Sequence, residues 1–287
     1  MKFSITHTTT YSYSQFVRLL PQTLRLRPRS DGWQSVKDFS LTVMPEPISM
    51  ASLLELDGNT TLRLWFADEP VDRLEVSTTS QVETHCTNPF NYILEPWAVQ
   101  LPIDYPTSLM VQLRPYLQGQ TTYHQGGLDP VAIQLAHDLH HATHGHPPSF
   151  LNRLNQEIYQ NCAYAVRETG SAMLPGMTWQ QKKGSCRDFT VLFMEVCRAV
   201  GLAARFVSGY HETEPGYEAH LHAWAEVYLP GAGWRGYDPT QGLAVTDKHV
   251  ALVAAPTAIH TMPIQGAFRG AGAEETMGYH LSIQTLA

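Results

Sequence analysis

Gly184-Ser185-Cys186-Arg187-Asp188-Phe189 is the stretch that decides the reading of this chain. Gly184 and Ser185 interrupt the backbone. From Cys186 onward, apolar residues recur at Phe189, Leu192, Phe193, Val196 and Val200, the spacing of one helix face. Ser185 with an acid three residues later, Asp188, forms a capping-box signature, so Cys186 falls in the first turn of the predicted helix. Unpaired backbone N–H groups and the positive end of the helix dipole favour thiolate over thiol at that place. The stretch therefore presents a cysteine suited to nucleophilic attack.

Two further segments supply a base and an orienting acid. Ala203 to Tyr210, His222 to Leu229 and Trp234 to Asp238 alternate and are rich in aromatic and β-branched residues, so they read as consecutive strands. Pro230-Gly231-Ala232-Gly233 is a turn between the last two. His222 then begins one strand and Asp238 ends the next, and in an antiparallel pair those positions lie side by side at one end of the sheet. A cysteine at a helix N-terminus packed against that end completes a nucleophile, base and orienter set.

These motifs resemble the transglutaminase-like superfamily, a branch of the papain-like fold that includes many bacterial candidate cysteine proteases. The resemblance runs through Gly184–Asp188, Arg198–Tyr210, His222–Pro230 and Gly233–Thr240. It extends more weakly to Ile5–Tyr11, the Gly58-Asn59 turn and Ile264–Gly270 before a last strand. It is nearest to bacterial proteins that join an N-terminal β domain to a transglutaminase core. The resemblance implies Cys186 as nucleophile, His222 as general base and acid, and Asp238 as the orienting carboxylate. It also implies acyl transfer on amide bonds through a thioester, chemistry that requires no metal or organic cofactor.

The expected fold is α+β: an N-terminal β-sandwich followed by a papain-like, transglutaminase-like core, with the nucleophile at a helix N-terminus packed on an antiparallel sheet. Residues 1–97 carry strand-like runs at Val36 to Val43, Ser52 to Leu56, Thr60 to Phe66 and Leu74 to Val82, with Asp57-Gly58-Asn59 as a hairpin turn. Phe3, Ile5, Leu54, Leu64 and Val76 are expected to face inward. Pro96, Pro102 and Pro106 mark the crossing into the catalytic core, 98–245. There Asp129-Pro130 starts one helix, Phe150 to Tyr159 forms a second, and Thr178 with Gln181 reads as a capping box opening a third. The C-terminal extension, 246–287, is expected to be irregular or briefly helical from Asp247 to Ala255. It should end in a strand from Tyr279 to Leu286 that packs back on the fold.

Composition sets the remaining bounds. At 287 residues the chain can bury two cores. A net charge of −7 without a basic run argues against a nucleic-acid partner. Four cysteines (Cys86, Cys162, Cys186, Cys197) at irregular spacing form no disulfide framework. With no apolar leader or membrane-length run, the expectation is a cytoplasmic protein without a membrane partner, acting on a peptide, protein or small amide.

Around the three central residues, His220, Trp224, Trp179 and Tyr164 are the substrate-binding candidates. His220 lies two residues before the base, at the mouth of the cleft. Trp224 and Trp234 flank His222 and Asp238 and could wall an acyl pocket or belong to the core. Tyr164 and Trp179 lie upstream, where the resemblance places a second oxyanion donor beside the Cys186 N–H. His137, His141 and His144 share one helix face, but lack the glutamate of a zinc-protease motif and read as a solvated helix end. No metal site is assigned. The loop His211–Glu218 is acidic and contains Pro and Gly, so an open site favouring hydrolysis and basic or amine-bearing substrates is expected. The alternatives are protein-glutamine transglutamination, or a non-catalytic binding module on the same fold.

Overall fold

Strict alternation over the first positions makes one long strand, β1 (Lys2–Leu19), whose Phe3, Ile5, His7 and Thr9 turn inward. The computed structural model describes residues 1–119, 127–167, 170–212 and 219–286. Within it β2 (Gln22–Leu24), β3 (Gln34–Met44), β4 (Ser49–Leu54), β5 (Thr60–Trp65) and β6 (Val71–Thr84) follow β1. The strand sheet β15-β1-β6-β3, with β16 also paired to β1, faces a second sheet ordered β14-β2-β5-β4. The C-terminal partners in these sheets are β14 (Ile264–Gln265), β15 (Phe268–Arg269) and β16 (Glu275–Leu286). Phe3, Ile5, Leu64 and Val76 are buried between the sheets as expected, but Leu54 is 78% exposed. β4 is the edge strand of its sheet and five of its six residues are exposed, so its alternation has no core to face.

The second half is layered differently. α1 (Thr107–Leu117), which the sequence reading did not anticipate, α2 (Pro130–Ala142), α3 (Pro147–Asn161), α4 (Pro175–Gln181) and α5 (Cys186–Ala199) precede an antiparallel sheet. Its strands are β9 (Ala204–His211), β10 (Leu221–Leu229), β11 (Gly233–Asp238), β12 (Leu243–Ala244) and β13 (His249–Ala255), in the order β12-β11-β10-β9-β13. Two short strands, β7 (Ala163–Tyr164) and β8 (Lys183–Gly184), pair in parallel just before α5. Residues of α5 from Asp188 to Arg198 are all buried, and the helix packs on β10, β9, α2 and α4. The architecture is thus α+β, with a strand-rich N-terminal region and a core whose central helix begins at Cys186. Among the described residues no helix is long and apolar enough to cross a membrane.

Two local readings are corrected. Thr178 is not a cap. Pro175 starts α4, Leu174 precedes it, and the Thr178 hydroxyl donates within the helix to the Leu174 carbonyl at 3.2 Å. Residues 249–255 are neither irregular nor helical but a fifth strand, antiparallel to β9. That run is alanine-rich and nearly all buried, which erases the period-2 signal of a half-exposed strand. The outer edge of β13 is covered by two buried side-chain amides from the N-terminal region. Gln34 exchanges hydrogen bonds with the Ala251 carbonyl (2.9 Å) and N–H (2.7 Å), and Asn59 does the same with Ala254 (2.8 and 2.9 Å). Backbone groups that would otherwise be an open, pairable edge are satisfied in this way.

Candidate active site

Asp188 shapes the entrance to α5. Its Oδ2 accepts from the Ser185 N–H at 2.8 Å and the Ser185 hydroxyl at 2.9 Å. Its Oδ1 accepts from the Met173 N–H at 2.7 Å, and Arg167 Nη1 donates to both oxygens at 2.7 and 2.8 Å. Burial opposes its charge, but the backbone donors and Arg167 hold the carboxyl below its usual range. Asp188 is therefore a structural cap that also holds Arg167 and the Met173 backbone against the start of α5. It leaves Cys186 at the first helical position, half-buried, with the positive end of α5 behind it.

The β10–β11 register sets the partners. The last hydrogen-bonded pair is Ala225 with Tyr237, so Asp238 comes one residue beyond it and His222 lies diagonally across. His222 Nε2–H donates to Asp238 Oδ2 at 2.6 Å. The Cys186 thiol is also within side-chain hydrogen-bonding reach of the His222 imidazole. Burial works against a charged His222, yet the Asp238 carboxylate and the sulfur raise its pKa well above the ordinary imidazole value. Asp238 is fully buried. Desolvation is outweighed by His222 and then by a second imidazole, His249, so its carboxyl is held far below the usual range. Its Oδ1 accepts from the backbone N–H groups of Thr240 (2.9 Å) and Gln241 (3.2 Å).

A cleft of about 240 Å³ opens over Cys186 and His222. One wall belongs to the core, with Tyr164, Arg167, Arg187 and Phe206. The other comes from the N-terminal sheet, with His7, Thr9 and Tyr11 of β1 and Met277 and Tyr279 of β16. The parallel pairing of Tyr164 with Gly184 sets Tyr164 beside the sulfur, where burial and then the Cys186 charge push its phenol pKa up. His220 is exposed at the rim, just before β10, with Nδ1 2.5 Å from the Tyr279 hydroxyl.

Of the sequence candidates, Cys186, His222, Asp238, Tyr164 and His220 are gathered here. Trp224 and Trp179 are not. Trp224 is buried behind His222, its ring edge-on to His249 with centroids 5.2 Å apart. It fits there because Gly209 opposes His222 across the β9–β10 ladder. A Cβ at Gly209 would meet the Trp224 ring at 2.6 Å and the Val250 carbonyl at 2.2 Å. Trp179 lines a separate groove with residues of α2 and α3, and Trp234 lines another, with Trp33 and Arg235. α2 ends at Ala142, and His144 lies beyond it at a positive φ of 51°, off the face carrying His137 and His141. Among the described residues no group of three His, Cys, Asp or Glu side chains is arranged to hold a metal ion. In the loop His211–Glu218, residues 213–218 lie outside the described residues. The described cleft lining carries Arg167 and Arg187 and no Asp or Glu; the acidity expected of the loop rests mainly on residues outside the described ones. His249, His211 and the β1 and β16 residues were not foreseen.

Comparison with known proteins agrees with this layout. Residues 3–83 match the family model described as the bacterial transglutaminase-like N-terminal region, and residues 133–239 match that of the transglutaminase-like superfamily. The uncharacterized protein Rv2569c of Mycobacterium tuberculosis is 27% identical over 290 residues, covering 92% of this chain and 87% of that one. A protein-glutamine gamma-glutamyltransferase of Pseudomonas aeruginosa is 30% identical over 127 residues, covering 40% of this chain and 19% of its own length. The solved structure of a candidate cysteine protease from Cytophaga hutchinsonii superposes with a TM-score of 0.73 at 22% identity, covering 100% of this chain and 91% of the other. That likeness shows a shared fold.

Proposed function

We propose that this chain, which joins a bacterial transglutaminase-like N-terminal region to a transglutaminase-like core, is a cysteine enzyme that opens amide bonds through a thioester and passes the acyl group to water. The observation that carries the reading is the His222–Asp238 hydrogen bond at 2.6 Å with the Cys186 thiol at the same imidazole. In the first half-reaction the Cys186 thiolate attacks the amide carbonyl carbon and the C–N bond breaks. The departing nitrogen takes the proton from the His222 imidazolium. The Cys186 backbone N–H, at the start of α5, is aimed at the developing oxyanion, and Tyr164 is the side-chain hydroxyl at hand to assist it. In the second half, neutral His222 takes a proton from water as its oxygen attacks the thioester, and the thiolate leaves. Asp238 keeps His222 turned edge-on to both events without taking a proton itself.

Water is favoured as acceptor because the cleft is open at its mouth. Tyr164 is 51% exposed and His220 lies on the rim, whereas amine transfer demands a site that excludes water from the thioester. The second reading, amine transfer, draws on the similarity to the Pseudomonas aeruginosa protein-glutamine gamma-glutamyltransferase. Incubating the protein with a library of glutamine-containing peptides and excess labelled primary amine, read by mass spectrometry, separates the two. The expected result is hydrolysed product in excess of amine adduct, and neither product with Cys186→Ala. Predominant amine adduct would replace hydrolysis with transamidation. No turnover of any peptide would favour a binding module.

A further inference from the structure

We infer that His249 is a positioning residue: through its Nε2–H it locks the Asp238 carboxylate in the orientation from which that carboxylate aligns His222. The inference rests on the triad reading above.

His249 is the first residue of β13, and it is buried. Its Nδ1 accepts from the Thr246 N–H at 3.4 Å, which leaves the ring proton on Nε2, and Nε2 lies 3.2 Å from Asp238 Oδ2. Oδ2 therefore receives two imidazole N–H donors, one from His222 and one from His249, while Oδ1 receives the backbone N–H groups of Thr240 and Gln241. Held only at Oδ1 and by His222, the carboxylate could swing about its last bond and carry the imidazole with it. The second donor on Oδ2 removes that freedom.

The type of donor matters. Burial first, and then the His222 charge, keep His249 from taking a second proton, against the pull of Asp238. A neutral N–H orients the carboxylate without cancelling its charge, so the charge remains available to the His222 imidazolium. An arginine or lysine in the same place would compete with His222 for it. The ring is held on its other sides by Trp224 and by His211, which opposes it across the β9–β13 ladder with centroids 4.6 Å apart. Burial, with His249 and His222 next in effect, lowers the His211 pKa to about 4, so it adds bulk and no charge at neutral pH. The backbone carrying His249 is fixed in turn by Gln34 on the outer edge of β13 and by the close approach that Gly209 permits. The N-terminal region thus reaches the candidate triad through one strand.

The test uses the geometry of amide side chains. Glutamine carries its N–H₂ near the place of Nε2, whereas asparagine stops near Nδ1 and cannot reach Asp238. Cys186 alkylation by iodoacetamide at neutral pH is followed by peptide mapping in wild type, His249→Gln and His249→Asn, with thermal unfolding alongside. His249→Gln is expected to stay within about threefold of wild type. His249→Asn should fall by about ten- to hundredfold, the usual cost of losing a hydrogen bond to a charged group, at a similar Tm. Equal rates in the two variants would overturn the inference, and so would a wild-type rate in His249→Asn. Should the variants not fold, ¹⁵N-histidine NMR on the wild type decides. His249 must be a neutral Nε2–H tautomer at pH 7, and an Nδ1–H tautomer or an imidazolium overturns the inference. If wild-type Cys186 shows no preference over the other cysteines, the triad reading itself fails, which is a separate result.

Discussion

Iodoacetamide at neutral pH is expected to label Cys186 about a hundredfold faster than Cys86, Cys162 or Cys197. The thiolate is the reacting form, and a thiol whose pKa lies above 9 is less than about one per cent ionised at pH 7. Burial pushes all three other thiols up: Cys197 well above its usual value, and Cys86 and Cys162 in the same direction. Cys197 is also shut inside α5. Cys186 alone among the four stands at a helix start with an imidazolium beside it. Peptide mapping after brief labelling of the native protein reads this directly. His222→Ala removes the imidazole and should slow labelling of Cys186 while leaving the other three unchanged. Comparable labelling of all four cysteines in the folded wild type would remove the basis for the nucleophile.

The second large expected effect is at Asp238: on the proposed mechanism, amide turnover should fall by about 10⁴-fold in Asp238→Ala, the scale seen when the orienting carboxylate of a Ser-His-Asp-type triad is lost. Asp238→Asn, which keeps the shape, separates the loss of charge from the loss of packing. The cause can be followed in His222. With Asp238 present its pKa is raised, so the folded protein holds this proton where an unfolded chain, with an imidazole pKa of about 6.5, has released it. A raised pKa in the folded state contributes stability that is fully present below about pH 6.5 and is lost as pH climbs through the elevated value. Wild-type His222 should therefore remain an imidazolium at pH 8 by ¹⁵N NMR, and Tm should decline on further alkalinisation. In Asp238→Asn, His222 should be neutral at pH 8. A His222 that titrates at its ordinary value in the wild type would contradict this electrostatic account.

What was legible in the sequence follows from how each element is specified. The start of α5 is written locally, in Gly184, the Ser185–Asp188 cap and a helical apolar period, so Cys186 could be placed without knowing what surrounds it. β10 and β11 carry their own alternation and turn, which brings His222 near Asp238 once the strands pair. His249 had no such signal, because the strand behind it is buried on both faces and alanine-rich. The depth of Trp224 was also hidden. His222 and Trp224 share a strand face, but only the missing side chain at Gly209 leaves room for the indole beside the histidine. The wall of the cleft built by β1 and β16 depends on pairing between the two chain ends, Lys2 with Leu286 through Tyr13 with Glu275, and no local pattern encodes that distance in sequence.

The central claim is that Cys186 carries the acyl group as a thioester. The most direct measurement is acid-quenched mass spectrometry with peptide mapping after brief mixing with p-nitrophenyl acetate, a generic acyl donor. The account predicts an acetyl group on Cys186 ahead of every other residue, released by hydroxylamine, formed far more slowly in His222→Ala and absent in Cys186→Ala. Acetylation that bypasses Cys186, or ester turnover undiminished in Cys186→Ala, would contradict it.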